Sequence, residues 1–247
     1  MRVLEVVSGS LLPMSLAQLS QRADIPKATL ARLVAEMTSS GYLSLVPGRR
    51  ELIPGPRATR LSMGVLGNGQ FRRECRAVLR EVVGQLGETC NLTVRDGDRV
   101  MYIERVETQA PLRLHLEPGV RAPLHCTAGG KLFLAQMEPA ERERFLGLIG
   151  LESLTPGTIT DRAALGRELD RIRKLGYGVD NEEFVCGMVG IAVPLRLPGA
   201  QQTVAALVCH AAAARSSLAR LEKWLPVLRQ SALQLADCLG KDATAHI

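Results

Sequence analysis

Lys27, Thr29 and Arg32 stand on or near one face of a short helical stretch early in the chain. Lysine and threonine at a helix start hold phosphate oxygens, and an arginine one turn further reaches a base edge in the major groove of duplex DNA. Arg49-Arg50 follows at a turn, where two guanidinium groups meet phosphate or the minor groove. The plainer alternatives are a helical hairpin with a solvated basic face and a soluble turn. Three other constellations invite chemistry. Ala128-Gly129-Gly130-Lys131 hints at a phosphate loop, but that loop needs a glycine where this chain has His125 and a hydroxyl where it has Leu132. Small residues at a helix start remain, and their free amides either attract an anion such as a carboxylate or simply allow close helix packing. Asp180, Glu182 and Glu183 fit a metal site, an acid/base pair or a structural carboxylate cluster at a sheet edge. The four histidines, 115, 125, 210 and 246, form no short ligand spacing with them. Cys126, Cys186 or Cys209 beside a histidine would make a nucleophilic pair; buried, inert cysteine is the favoured state of each.

The elements that must position the basic set are legible. Ser15 and Gln18 fit a capping box, and Leu16, Leu19 and Ala23 recur at helical spacing. Asp24-Ile25-Pro26 breaks that helix, and Pro26 suits the first position of the next. Leu30, Leu33, Val34 and Met37 make one face of this second helix apolar, and Gly41 closes it. Strand-like Tyr42–Val46 and Glu51–Ile53 flank Pro47-Gly48-Arg49-Arg50, which makes a wing. The apolar spacing of residues 1–7 predicts a supporting first helix that begins close to the first residue, leaving open whether native residues precede it. The candidate DNA-contacting set is therefore Ser15, Pro26, Lys27, Ala28, Thr29, Arg32, Arg49 and Arg50. Arg57–Leu66 reads as a linker helix running into a glycine-rich stretch that ends at Gly69. The expected organisation is a winged domain over 1–62, a linker over 63–75 and a second domain over 76–247.

That second domain predicts an α+β fold with a largely antiparallel sheet. Helical spacing runs from Phe71 to Leu86; strands follow at Asn91–Arg95, Val100–Val106 and Leu112–Leu116, with Asp96-Gly97 as a hairpin turn. Helices are expected from Thr127 to Met137, from Pro139, and from an Asp161 cap to Leu175-Gly176. Two strands, Gly190–Leu197 and Thr203–His210, precede a long helix over Arg215–Leu239. Charge sharpens the division. Residues 1–62 hold 8 Lys and Arg against 4 Asp and Glu, whereas the rest hold 23 against 21, so the positive excess sits where the DNA contacts fall. Aromatics at 3% argue against stacking platforms for single strands. Six cysteines lack zinc or redox spacing, no signal peptide or membrane-length apolar run is present, and a cytoplasmic protein with reduced thiols is expected. Two functions stand: a ligand-responsive DNA-binding regulator, favoured by the wing and the charge split, or a small cytoplasmic enzyme with an N-terminal interaction module.

Three segments in order resemble the IclR-type transcriptional regulators over nearly the whole chain. LAQLSQRADIPKATLARLVAEMTSSGYL looks like their winged helix-turn-helix, PGVRAPLHCTAGGKLFLA like their effector-domain loop and helix, and GYGVDNEEFVCGMVGIAVPL like their C-terminal signature. The resemblance implies a GAF-like effector domain, homodimers or homotetramers, operator DNA and a small organic acid as partners, and neither enzyme activity, metal nor cofactor. It carries over Thr127, Ala128 and Gly129 as loop donors, Asp180 as the acid facing the effector, and Gly190, Val208 and His210 as inward positions, with Leu114 added to the effector-binding set. Val208 and His210 depart from the often hydroxyl-bearing family pattern, and the small Gly190 leaves room. A roomier, less hydroxylated pocket is inferred, suited to an aromatic or longer carboxylate met by His210 or loop amides.

Overall fold

The computed structural model describes residues 1–10, 12–66, 69–197 and 202–240. Gly67-Asn68 of the glycine-rich stretch and His246 lie outside the described residues. Two compact units divide the chain, Met1–Asn68 and Gly69–Ile247.

The first unit runs α1 (Arg2–Gly9), β1 (Met14–Ser15), α2 (Leu16–Ala23), α3 (Lys27–Ser39), β2 (Leu43–Leu45), β3 (Glu51–Pro54) and α4 (Pro56–Leu66). Val3, Leu4 and Val7 of α1 bury against Leu19, Ala23, Leu30, Leu43 and Leu52, which holds the helices on a small sheet. The capping box forms: the Gln18 amide donates to the Ser15 hydroxyl, and the Gln18 side chain accepts from the Ser15 amide. Asp24 ends α2 in the left-handed region at φ 55°. The corner is then fixed twice, since the Ile25 amide donates to Ser20 O (3.2 Å) and the Ser20 hydroxyl to Ile25 O (2.7 Å). Pro26 stands one place earlier than expected, as the N-cap, and Lys27 opens α3. The wing gains a short third strand, β1, in the order β1-β3-β2. Behind it, Gly55 packs against Gly41, where an added Cβ would lie 2.4 Å from the Gly41 oxygen. The Gly55 and Arg57 amides donate to Tyr42 O (2.8 Å) and Gly41 O (2.9 Å), so the start of α4 is tied to the end of α3.

The second unit contains α5 (Gly69–Leu86), β4 (Thr89–Asp96), β5 (Arg99–Val106), β6 (Arg121–Pro123), α6 (Ala128–Ala135), α7 (Pro139–Leu148), α8 (Arg162–Leu175), β7 (Gly178–Asn181), β8 (Met188–Arg196), β9 (Thr203–Ala212), α9 (Leu218–Glu222) and α10 (Leu225–Gly240). Its antiparallel sheet has the order β6-β5-β4-β9-β8-β7. One face is apolar: Cys90, Leu92, Val179, Ile191, Val193, Leu207 and Cys209 pack with Leu79 and Val82 of α5 and Leu228 and Leu235 of α10. α5 is also held by charge, because Glu104 receives Arg72 at 3.1 Å and Arg76 at 3.4 Å.

Two expectations need correction. Leu112–Leu116 is a loop, because its carbonyls meet side chains in place of a strand: Arg215 donates to Leu112 O (2.6 Å) and Arg105 to Leu114 O. β6 takes the edge beside β5. The long closing helix is broken into α9 and α10 near Pro226, which lacks an amide and crowds the preceding turn. Of the region expected as a linker, residues 63–66 end α4 and residues 69–75 begin α5.

Candidate functional site

The two sheet faces differ in chemistry because side chains alternate along each strand and directly paired residues share a face. Opposite the apolar face, register places Asp180 against Gly190, Gly190 against His210 and His210 against Thr89, one row crossing four strands. The next row runs Gly178, Ala192, Val208, Asn91 and Arg105. A bulge between Leu92 and Thr93 inserts an extra residue on β5, so Tyr102 and Arg105, three apart, both reach this face.

The small residues in these rows seat α6. A Cβ on Gly178 would lie 2.1 Å from the Ala128 oxygen, and one on Gly130 would lie 2.3 Å from the Leu124 oxygen, so both contacts require glycine. A Cβ on Gly129 would lie 3.1 Å from the Thr93 hydroxyl oxygen and 3.3 Å from Val208 Cγ2. The start of α6 therefore lies on the polar face, and small residues serve close packing here whatever else they do. Thr127 is the N-cap: its hydroxyl accepts from the Gly130 amide (3.2 Å) and donates to Pro123 O (2.8 Å).

Lys131, expected at a phosphate loop only if the motif were complete, is fully buried and pairs with Glu183, with Glu168 at 3.6 Å. Glu182 accepts from the Gly187 amide (2.7 Å), and Asp180 Oδ1 accepts from the amides of Glu183 (2.9 Å) and Phe184 (3.3 Å). Each carboxylate of the cluster thus has a positioning task, and no group of metal-ligating side chains is found among the described residues. Burial raises the Asp180 pKa to about 7; the Glu183 charge adds to this, while Lys131 and the two amides oppose it.

His210 is buried, with Nδ1 2.9 Å from Asn91 Nδ2 and its ring 6.4 Å from that of Tyr102. Desolvation, then the Arg105 charge, lower its pKa to about 3, so the ring is neutral. The room expected above Gly190 is occupied: a Cβ there would lie 2.7 Å from His210 Cδ2, and the imidazole fills the space. Nor is the face short of polar groups, since Thr89, Asn91, Thr93, Tyr102 and Arg105 are buried on it. These were missed, although the alternation Thr89, Asn91, Thr93 was a polar stripe available in the sequence. Leu114 reaches the site through its backbone, as the acceptor for Arg105.

The cysteines offer no activated nucleophile here. Burial pushes the Cys126 thiol up to about 12, and a hydrogen bond with Cys90, with burial, raises Cys209. Cys186, expected to be buried, is exposed.

In the first unit, Pro26, Lys27, Ala28, Thr29 and Arg32 are exposed, and the first turn of α3 holds no acidic residue. Arg49 and Arg50 project from the wing turn, with Arg49 3.6 Å from Glu51. Ser15 is occupied in its capping box.

Known proteins match this architecture throughout. Residues 1–47 match the IclR helix-turn-helix domain and 63–237 the bacterial transcriptional regulator IclR C-terminal domain. "Probable transcriptional regulator SauR" of Cupriavidus necator is 38% identical over 231 residues, 94% of this chain and 91% of that protein. A solved IclR homologue of Microbacterium hydrocarbonoxydans complexed with 4-hydroxybenzoate aligns with TM-score 0.61 and 26% identity, covering 96% of both chains. A double mutant of the Acinetobacter PobR inducer-binding domain, complexed with 3-hydroxybenzoic acid, aligns with TM-score 0.61 and 28% identity over 67% of this chain and 97% of that one. A winged unit followed by this sheet and helix arrangement defines a transcriptional regulator, and the chain belongs to the IclR family. No helix among the described residues is long and apolar enough to cross a membrane.

Asp180 makes stability pH-dependent in a defined direction. The folded protein keeps its proton up to about pH 7, whereas the unfolded chain releases it near 3.8. Its contribution is therefore fully present below the unfolded value and is lost as pH rises through about 7. Asp180→Asn retains Oδ1 for both amides and cannot ionise. In urea titrations it is expected to gain on the wild type as pH rises from about 5 to about 8, by up to ~1.4 kcal/mol per pH unit. A constant difference would assign the carboxyl an ordinary pKa.

Proposed function

We propose that this regulator binds duplex operator DNA as a homodimer or homotetramer through its winged unit, under control of a small aromatic acid held in the second unit. The supporting observation is the buried row Asp180, Gly190 and His210 facing the start of α6. It offers what a carboxylate with an apolar body requires. Neutral His210 and a protonated Asp180 are hydrogen-bond donors without competing charge, and Val208, Ala192 and Ala206 supply apolar wall. Thr127, Ala128 and Gly129 line the α6 side. The relatives complexed with 4-hydroxybenzoate and 3-hydroxybenzoic acid support an aromatic ligand.

On the DNA side, Lys27 and Thr29 hold phosphates, Arg32 reads a base edge and Arg49-Arg50 engage the backbone or minor groove beside it. Ligand binding favours one arrangement of subunits, and the linker passes this to the spacing of the recognition helices, which half-sites must match.

Arg32→Ala is expected to cost about 1–3 kcal/mol of operator affinity and to relax sequence preference at one position in a gel-shift selection. Unchanged affinity and preference would remove Arg32 from the interface. In calorimetry, 4-hydroxybenzoate is expected to bind more tightly than glyoxylate or pyruvate. Its affinity should fall as pH rises through about 7, where Asp180 loses its proton. Asp180→Asn should flatten that profile and leave ligand-free operator binding intact. Equal binding of glyoxylate would defeat the aromatic assignment.

A further inference from the structure

We infer that Arg105 is a positioning residue that, through Asn91, fixes the proton of His210 on Nε2 and so makes the site selective for ligand groups that accept hydrogen bonds. The inference rests on the proposed placement of the effector at His210.

The Arg105 side chain is 3% exposed, and its guanidinium has three partners. Nη1 donates to Asn91 Oδ1 at 2.7 Å, Nε to Glu107 at 3.0 Å and Nη2 to Leu114 O. A guanidinium only donates, so the Asn91 atom facing it is the carbonyl oxygen. The amide nitrogen of Asn91 then faces His210 Nδ1 at 2.9 Å, and an amide nitrogen also only donates. Nδ1 must accept, which leaves Nε2 as the protonated nitrogen of a neutral ring. The Cδ2–Nε2 edge lies over Gly190, since a Cβ there would stand 2.7 and 3.3 Å from those two atoms. Gly190 is the residue between His210 and Asp180 in the cross-strand row. The free N–H is thus on the edge of the ring nearest the candidate site. A carboxylate or carbonyl oxygen is accepted there, and an ammonium or amide N–H is refused. Because the same guanidinium holds Glu107 and Leu114 O, the loop that follows β5 is tied to this arrangement.

The charged and titratable groups around the ring are Arg105, Glu107 and Tyr102 on the β5 side and Asp180 on the β7 side, with Cys126 and Lys131 acting on Asp180 from the α6 side.

The test is nitrogen-15 NMR of histidine-labelled full-length protein without ligand, with His210→Gln assigning the signal. The wild type is expected to show a neutral His210 protonated on Nε2, unchanged from about pH 6 to about pH 8. Asn91→Asp presents only acceptors, so the proton should move to Nδ1 or the ring should become cationic. Arg105→Met should give mixed tautomers, and Arg105→Lys, which still only donates, should restore the wild-type signal. A wild-type ring protonated on Nδ1, or one that titrates in this range, overturns the inference, as does a tautomer unmoved by Asn91→Asp. Binding of 4-hydroxybenzoate, measured separately, should weaken about tenfold in Asn91→Asp, the loss of one hydrogen bond. If the tautomer shifts but this affinity does not, the relay stands and the effector does not touch His210.

Discussion

A lysine ammonium with no solvent exposure, held against Glu183, is the constraint on which the second unit turns. An unpaired charge at that depth would cost several kcal/mol, so Lys131 can be buried only where a carboxylate meets it. Glu183 follows β7, and its carbonyl is held by the Thr158 hydroxyl at 2.6 Å. The pair therefore fastens α6 to the turn between β7 and β8. Gly178 admits the Ala128 carbonyl at the same junction, and helix and strand meet backbone to backbone.

Once α6 is fastened, the rest of the site follows from strand alternation. One face takes the apolar faces of α5 and α10, and the other carries a polar set that water does not reach. Such groups must satisfy one another. Several do so in chains running from Arg105 to Asn91 to His210 Nδ1, and from Asp180 to the Glu183 and Phe184 amides. Low dielectric then drives Asp180 towards its protonated form and His210 towards its neutral one. A buried face with donors and little net charge of its own suits an anion with an apolar body.

The first unit was legible almost to the residue, because its signals are local: the Ser15 box, the Pro26 start and the glycine-closed end of α3. In the second unit the helices and the strands β4, β5, β8 and β9 were also readable, but the short edge strands β6 and β7 were not, nor were three further features. The loop after Val106 alternates like a strand, yet its carbonyls are claimed by Arg105, at the end of β5, and by Arg215, distant in sequence. Gly190 read as open space, whereas His210 on the neighbouring strand fills it, which only register reveals. Arg105 gave no sign of its role because the bulge that turns it inward depends on pairing with β4. The missed features depend on pairing across strands or on side chains from other elements, which spacing within a segment does not encode.

A double-mutant cycle on urea stability measures directly how firmly the Lys131–Glu183 pair fastens α6 to the turn between β7 and β8. Lys131→Met should destabilise by about 3–5 kcal/mol, because it strands the Glu183 carboxylate, and Glu183→Leu by less, because Glu168 at 3.6 Å still faces the lysine, while the double variant should be far more stable than their sum predicts. Costs that add to within about 0.5 kcal/mol would show that the two side chains act independently and that something else holds the helix.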